Sequence, residues 1–125
     1  MSDKQKLREL AELTDLVFAM QSAEILETTR QQTIIEGQLA KLSKAGEDAQ
    51  ARFQSDVGLR FGGADVMWQA WLGQQRKSLN TELAAVLAEK ERRLRKMKVA
   101  FGRREVAAKM CAEAAAIKRS DERDP

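Results

Sequence analysis

Few residues in this chain have the types and spacing to do chemistry. Glu24 and Glu27 stand three positions apart, so a helix would put both carboxylates on one face. Di-iron bundles complete such a pair with a histidine, and this sequence contains none. The same absence removes the commonest general base. Cys111 is the only thiol and falls at helix-seam spacing, where a small buried thiol is expected; nearby Lys109 changes its reactivity little. Gly58, Gly62 and Gly63 lack the Lys-Ser/Thr that follows a phosphate-binding loop. Gln31 and Lys90 read as a polar seam layer that fixes register. The sequence therefore assigns no catalytic, cofactor-binding or metal-ligating residue and reads as non-enzymatic.

Two clusters remain as binding candidates. The run Glu89 to Lys98 carries Arg92, Arg93, Arg95 and Lys96, with Arg103 and Arg104 following closely. It has three readings: a solvated flank facing Glu24 and Glu27, a docking surface for an acidic protein, or a nucleic-acid footprint. The net charge is only +3 and no aromatic stands within the 89–98 run, which argues against nucleic acid. The second cluster is Phe61, Met67 and Trp71 beside the glycines. A two-helix tip offers little cover for it, and exposed apolar groups mark contact sites. Self-packing and partner binding both stay open there. Phe18 and Ile25 are expected to point away from the seam.

Long helices must position these groups. Ala, Glu, Lys, Leu and Arg make up 66 of the 125 residues, and the only proline is Pro125. That composition marks long helices or coiled coil. Three glycines between 58 and 63 break the chain near its middle, and Asp65 reads as an N-cap. The prediction is an all-α antiparallel coiled-coil hairpin forming one domain over 1–125. Helix one spans about 4–55, a turn about 56–65, helix two about 66–119, and a short disordered tail follows. Each helix would run roughly 75–80 Å at 1.5 Å per residue. The seam path in helix one takes Leu13, Leu16, Met20, Ala23 and Ile34, then Leu42, Ala49 and Phe53. In helix two it takes Trp68, Leu72, Leu79, Val86, Met97 and Phe101, then Ala108. Register then pairs Phe53 with Trp68, Leu42 with Leu79, Met20 with Phe101 and Leu13 with Ala108.

The N-terminal segment lacks the apolar core of a leader, and no apolar run reaches the ~18 residues of a span. With a single cysteine, this suggests a cytoplasmic protein. The first half, 1–56, is acidic and the second, 57–125, basic, as two strands of one hairpin would be.

The stretch Trp68-Gln69-Ala70-Trp71-Leu72-Gly73-Gln74-Gln75-Arg76-Lys77 resembles the opening of the second helix in the stalk proteins of type III export, the flagellar FliJ and injectisome YscO family. Arg92-Arg93-Leu94-Arg95-Lys96-Met97-Lys98, followed by Arg103-Arg104-Glu105, resembles that family's Arg-rich continuation. The resemblance implies a non-enzymatic stalk or adaptor that couples an export ATPase ring to the export gate and to substrate chaperones. The chain ends would enter the ring. The Arg92–Arg104 flank would contact the ATPase, and the tip with Trp71, Ala45 and Ala49 the gate. Unlike common members, this chain has no tyrosine and carries small alanines near the tip. The alternative is a general cytoplasmic coiled-coil adaptor or chaperone. Neither would have a cofactor or membrane insertion; a stalk is expected as a monomer, whereas a homodimer forming a four-helix bundle would favour the adaptor.

Overall fold

A computed structural model describes residues 2–58 and 62–123. Two helices pack against each other: α1, Asp3–Ser55, of 53 residues, and α2, Ala64–Arg123, of 60. The fold is the expected all-α helical hairpin. Helix α2 continues to Arg123, beyond the predicted end near 119; Asp124 and Pro125 lie outside the described residues.

Local chemistry sets the helix ends. The Ser2 hydroxyl accepts the Gln5 N–H (3.2 Å) and the Ser2 carbonyl accepts the Lys6 N–H (3.1 Å), an N-cap that satisfies two otherwise orphaned donors. At the far end of α1 the Ser55 hydroxyl and the Asp56 N–H both donate to the Arg52 carbonyl. Gly63 has φ +77°, a left-handed conformation that glycine adopts without cost. Its carbonyl accepts the Met67 N–H at 3.2 Å, so Gly63 is the residue that starts α2. Asp65, expected as the cap, instead sits in the first turn and accepts the Val66 N–H at 2.9 Å.

The chain divides into two compact units, a terminal one of Met1–Glu27 with Lys90–Pro125 and a turn one of Thr28–Glu89. In the turn unit Ile35 and Leu72 are buried, and Leu39, Leu42, Phe53, Trp68, Leu79 and Val86 are half-buried. The Leu72 side chain closes over Gly46: a β-carbon built there would lie 3.2 Å from Leu72 Cδ1. Thr28 is fully buried, a polar seam residue at the unit's edge.

In the terminal unit the seam is small and partly polar. Ala100 and Ala107 are the buried apolar side chains, and the Phe18 and Phe101 rings meet at 5.9 Å. The Ser22 hydroxyl, bonded to the Phe18 carbonyl, lies 3.8 Å from the Met97 sulfur. The Cys111 thiol donates to the Leu7 carbonyl at 3.3 Å. These pairs correct the predicted register. Phe18, not Met20, meets the Phe101 ring, and the facing residues of α1 come about two positions earlier than expected.

Two residues are about 200° around a helix, so the correction exchanges the faces of α1 as far as Ile35; beyond it Leu42, Ala49 and Phe53 keep their predicted seam places. Leu13, Leu16, Met20 and Ile34 are 54–58% exposed, although the seam path ran through them. Phe18 and Ile25, expected to point outward, are half-buried. On α2 the expected path holds as far as Met97. Beyond it Ala100 and Ala107 take the buried places expected of Phe101 and Ala108, both exposed, while Arg104 and Cys111 keep their seam positions.

Candidate functional site

The basic run sorts into two faces. Arg93 turns to the seam, and its guanidinium donates to the Glu24 carbonyl at 2.9 Å. Arg104 does the same further along: its Nε bonds the Asp15 carboxylate at 2.9 Å and its guanidinium carbon sits 4.9 Å above the Phe18 ring. Both residues are half-buried and join the two helices. Arg92, Arg95, Lys96 and Arg103 are exposed, with Arg95 paired to Glu91 one turn back at 3.7 Å. The structure thus separates six candidate bases into two that hold the hairpin and four that face outward.

The outward row has apolar company. Between Lys96 and Met110 the same stripe of α2 carries Val99, Arg103 and Val106, and the two valines are 53% and 59% exposed. A groove of about 450 Å³ runs beside it, lined by Leu10, Thr14, Val99, Gly102, Val106 and Ala107, with Arg103 on its lip. Its surface is almost wholly apolar. The sequence reading missed this groove, because it placed Leu10 and Val99 in no stripe. The detectable signal was the spacing of Arg92, Lys96, Val99, Arg103, Val106 and Met110 in alternating steps of four and three.

Beside Gly63, Trp68 and Trp71 stack face to face, with centroids 5.0 Å apart and planes inclined 20°. Trp71 is 47% and Met67 73% exposed. With Phe53 and Ala64 they line an open groove of about 460 Å³. A second depression, of about 390 Å³, lies between Ala45, Asp48, Ala49, Arg52, Phe53 and Trp68. Phe53 and Trp68, paired by the sequence, line both depressions, and Met67 and Trp71 share one surface. Phe61 lies outside the described residues.

The remaining polar groups form no reactive constellation among the described residues, and no group of three or more Cys, Asp or Glu side chains that could hold a metal ion occurs among them. The Lys4 ammonium lies within hydrogen-bonding reach of Lys118; that contact first, and the charge of Lys118 next, lower its pKa below the usual lysine value. Among the described residues no helix is long and apolar enough to cross a membrane. Compared with known proteins, the chain matches no family model, no curated protein and no solved structure.

Proposed function

We propose that this chain is a non-enzymatic stalk or adaptor of a type III-like export apparatus, acting by docking onto protein partners. In this reading the terminal unit contacts the export ATPase through the outward flank of α2, and the turn unit offers Met67 and Trp71 to the gate or to chaperones. One observation carries the reading. Lys96 and Arg103 project from a helix whose internal contacts are already made by Arg93 and Arg104, so the exposed bases remain available to an acidic partner.

Pull-down against an export ATPase tests it. The triple change Arg95→Glu/Lys96→Glu/Arg103→Glu is expected to weaken capture at least tenfold without loss of helicity, since all three side chains are exposed. Equal capture of wild type and variant would remove the docking role.

A second reading, a general cytoplasmic coiled-coil adaptor, is favoured by the exposed Leu13, Leu16 and Met20. An apolar stripe on the outer face of α1 suits a bundle of more than two helices.

A further inference from the structure

We propose that the terminal unit pairs with a second copy of this chain, α1 of each copy lying along the Val99–Val106 flank of α2 of the other. The inference concerns the free protein and uses the same α2 flank that the export reading gives to the ATPase, so a stable dimer favours the adaptor reading.

Exposed apolar area is the first argument. The chain exposes 9512 Å², whereas a compact monomer of 14.0 kDa is expected to expose roughly 6,700 Å². The difference, roughly 2,800 Å² per chain and polar as well as apolar, exceeds the roughly 1,000–2,500 Å² that each partner of an obligate dimer buries, so the chain has the surface for such an interface. Much of the exposed apolar surface belongs to the terminal unit: Leu10, Leu13 and Met20 on α1 are 41–57% exposed, and Val99, Val106 and Met110 on α2 are 40–59% exposed.

Spacing is the second. The row Lys96, Val99, Arg103, Val106, Met110 keeps the steps of a coiled-coil seam, yet the internal seam uses the neighbouring row Met97, Ala100, Arg104, Ala107, Cys111. So α2 offers a second seam, on a face its own partner helix leaves open. Gly102 lies on the floor of the groove beside it. A β-carbon there would meet nothing within 4 Å inside the chain, and a bare floor lets an incoming side chain approach the backbone of α2.

Charge selects the occupant. Within the terminal unit α1 carries six carboxylates (Asp3, Glu9, Glu12, Asp15, Glu24, Glu27) against three bases, while α2 carries 12 bases over 90–123 against five acids. Two α1 faces would repel each other, as would two α2 faces. An α1 face laid on an α2 face attracts, and a two-fold axis makes that contact twice. A second copy supplies both halves of the match.

Sedimentation equilibrium of the purified chain tests this. Wild type is expected to approach twice 14.0 kDa as concentration rises from about 5 to about 500 µM, the weak end of the affinity range for interfaces of this size, and to dissociate in high salt. Glu9→Lys/Glu12→Lys and Lys96→Glu/Arg103→Glu should each weaken self-association at least tenfold, about 1.4 kcal/mol. An equimolar mixture of the two variants should restore it, because each changed face then meets its opposite. Circular dichroism checks that both variants stay helical. Wild type that remains monomeric throughout would overturn the proposal, since the face would then belong to another protein or to water. A dimer indifferent to the charge reversals, or variants that fail to rescue each other, would overturn it as well.

Discussion

The Phe18 ring leans on Phe101 at 5.9 Å and 53°, with the Arg104 guanidinium above it. Aromatic pairs in tilted contact contribute about 0.5–1.5 kcal/mol beyond the area they bury, and a cation over a ring adds about 0.5–1 kcal/mol at an exposed site. This cluster therefore sets the register of the terminal unit. Phe18→Ala is expected to lower stability by about 2 kcal/mol, below the roughly 3–5 kcal/mol of a fully buried phenylalanine because the ring is half-buried. Met20→Ala should change it by no more than about 0.5 kcal/mol. Urea unfolding of the two variants compares them directly. Equal losses would contradict the assignment of faces on α1.

Much of the hairpin was legible in the sequence. The glycine cluster, long proline-free flanks and large side chains spaced on α2 from Trp68 to Met97 suffice for two helices that fold back. The face of α1 up to Ile35 was not legible, because that stretch carries two apolar stripes. Leu13, Leu16, Met20 and Ile34 form the more aliphatic one, and a pattern search prefers it. The stripe that packs contains Thr14, Ser22, Thr28 and Gln32. It is tolerated because short side chains hydrogen-bond locally, as Thr14 does to the Ala11 carbonyl and Ser22 to that of Phe18, and because α2 presents Ala100 and Ala107 there. Among the candidate site residues, composition gave the basic flank. Only packing separates Arg104, which ties helices together, from Arg103, which faces out.

Those two neighbours should behave oppositely. Arg104→Ala removes the Asp15 pair and the contact over Phe18 and should cost about 1 kcal/mol, as expected of a partly exposed ion pair plus a cation over a ring. Arg103→Ala should leave stability within about 0.5 kcal/mol while weakening partner capture. Thermal melts paired with the ATPase pull-down separate the two effects.

Glycine substitutions give a second contrast. Nothing lies within 4 Å of a β-carbon built at Gly37 or Gly73, both inside helices. Replacing either with alanine should stabilise by up to ~1 kcal/mol, the helix-propensity difference. Gly63→Ala must hold a side chain at φ +77° and should destabilise by about 1–2 kcal/mol. Melting temperatures that rise for all three would contradict the turn geometry.

The Lys4–Lys118 contact makes a pH prediction. A lysine whose pKa is lowered in the folded state binds its proton less readily there than in the unfolded chain. The unfavourable contact is thus present in full below the folded value. It is relieved as pH rises through that value toward 10.5. Amide protection of the first turns of α1, measured relative to Lys4→Glu, should increase over that interval. Lys4→Glu itself should raise protection at neutral pH by giving Lys118 an opposite charge. Lower protection in that variant would show that the two amines do not face each other.

The central claim is that α1 and α2 run antiparallel with Ser22 at Met97. In a Cys111→Ala background, Ser22→Cys/Met97→Cys should be bridged within one chain by a short thiol cross-linker at high dilution, since the native side chains approach to 3.8 Å. Met20→Cys/Met97→Cys should resist bridging. Efficient bridging of the second pair and not the first would contradict the register on which every surface described above depends.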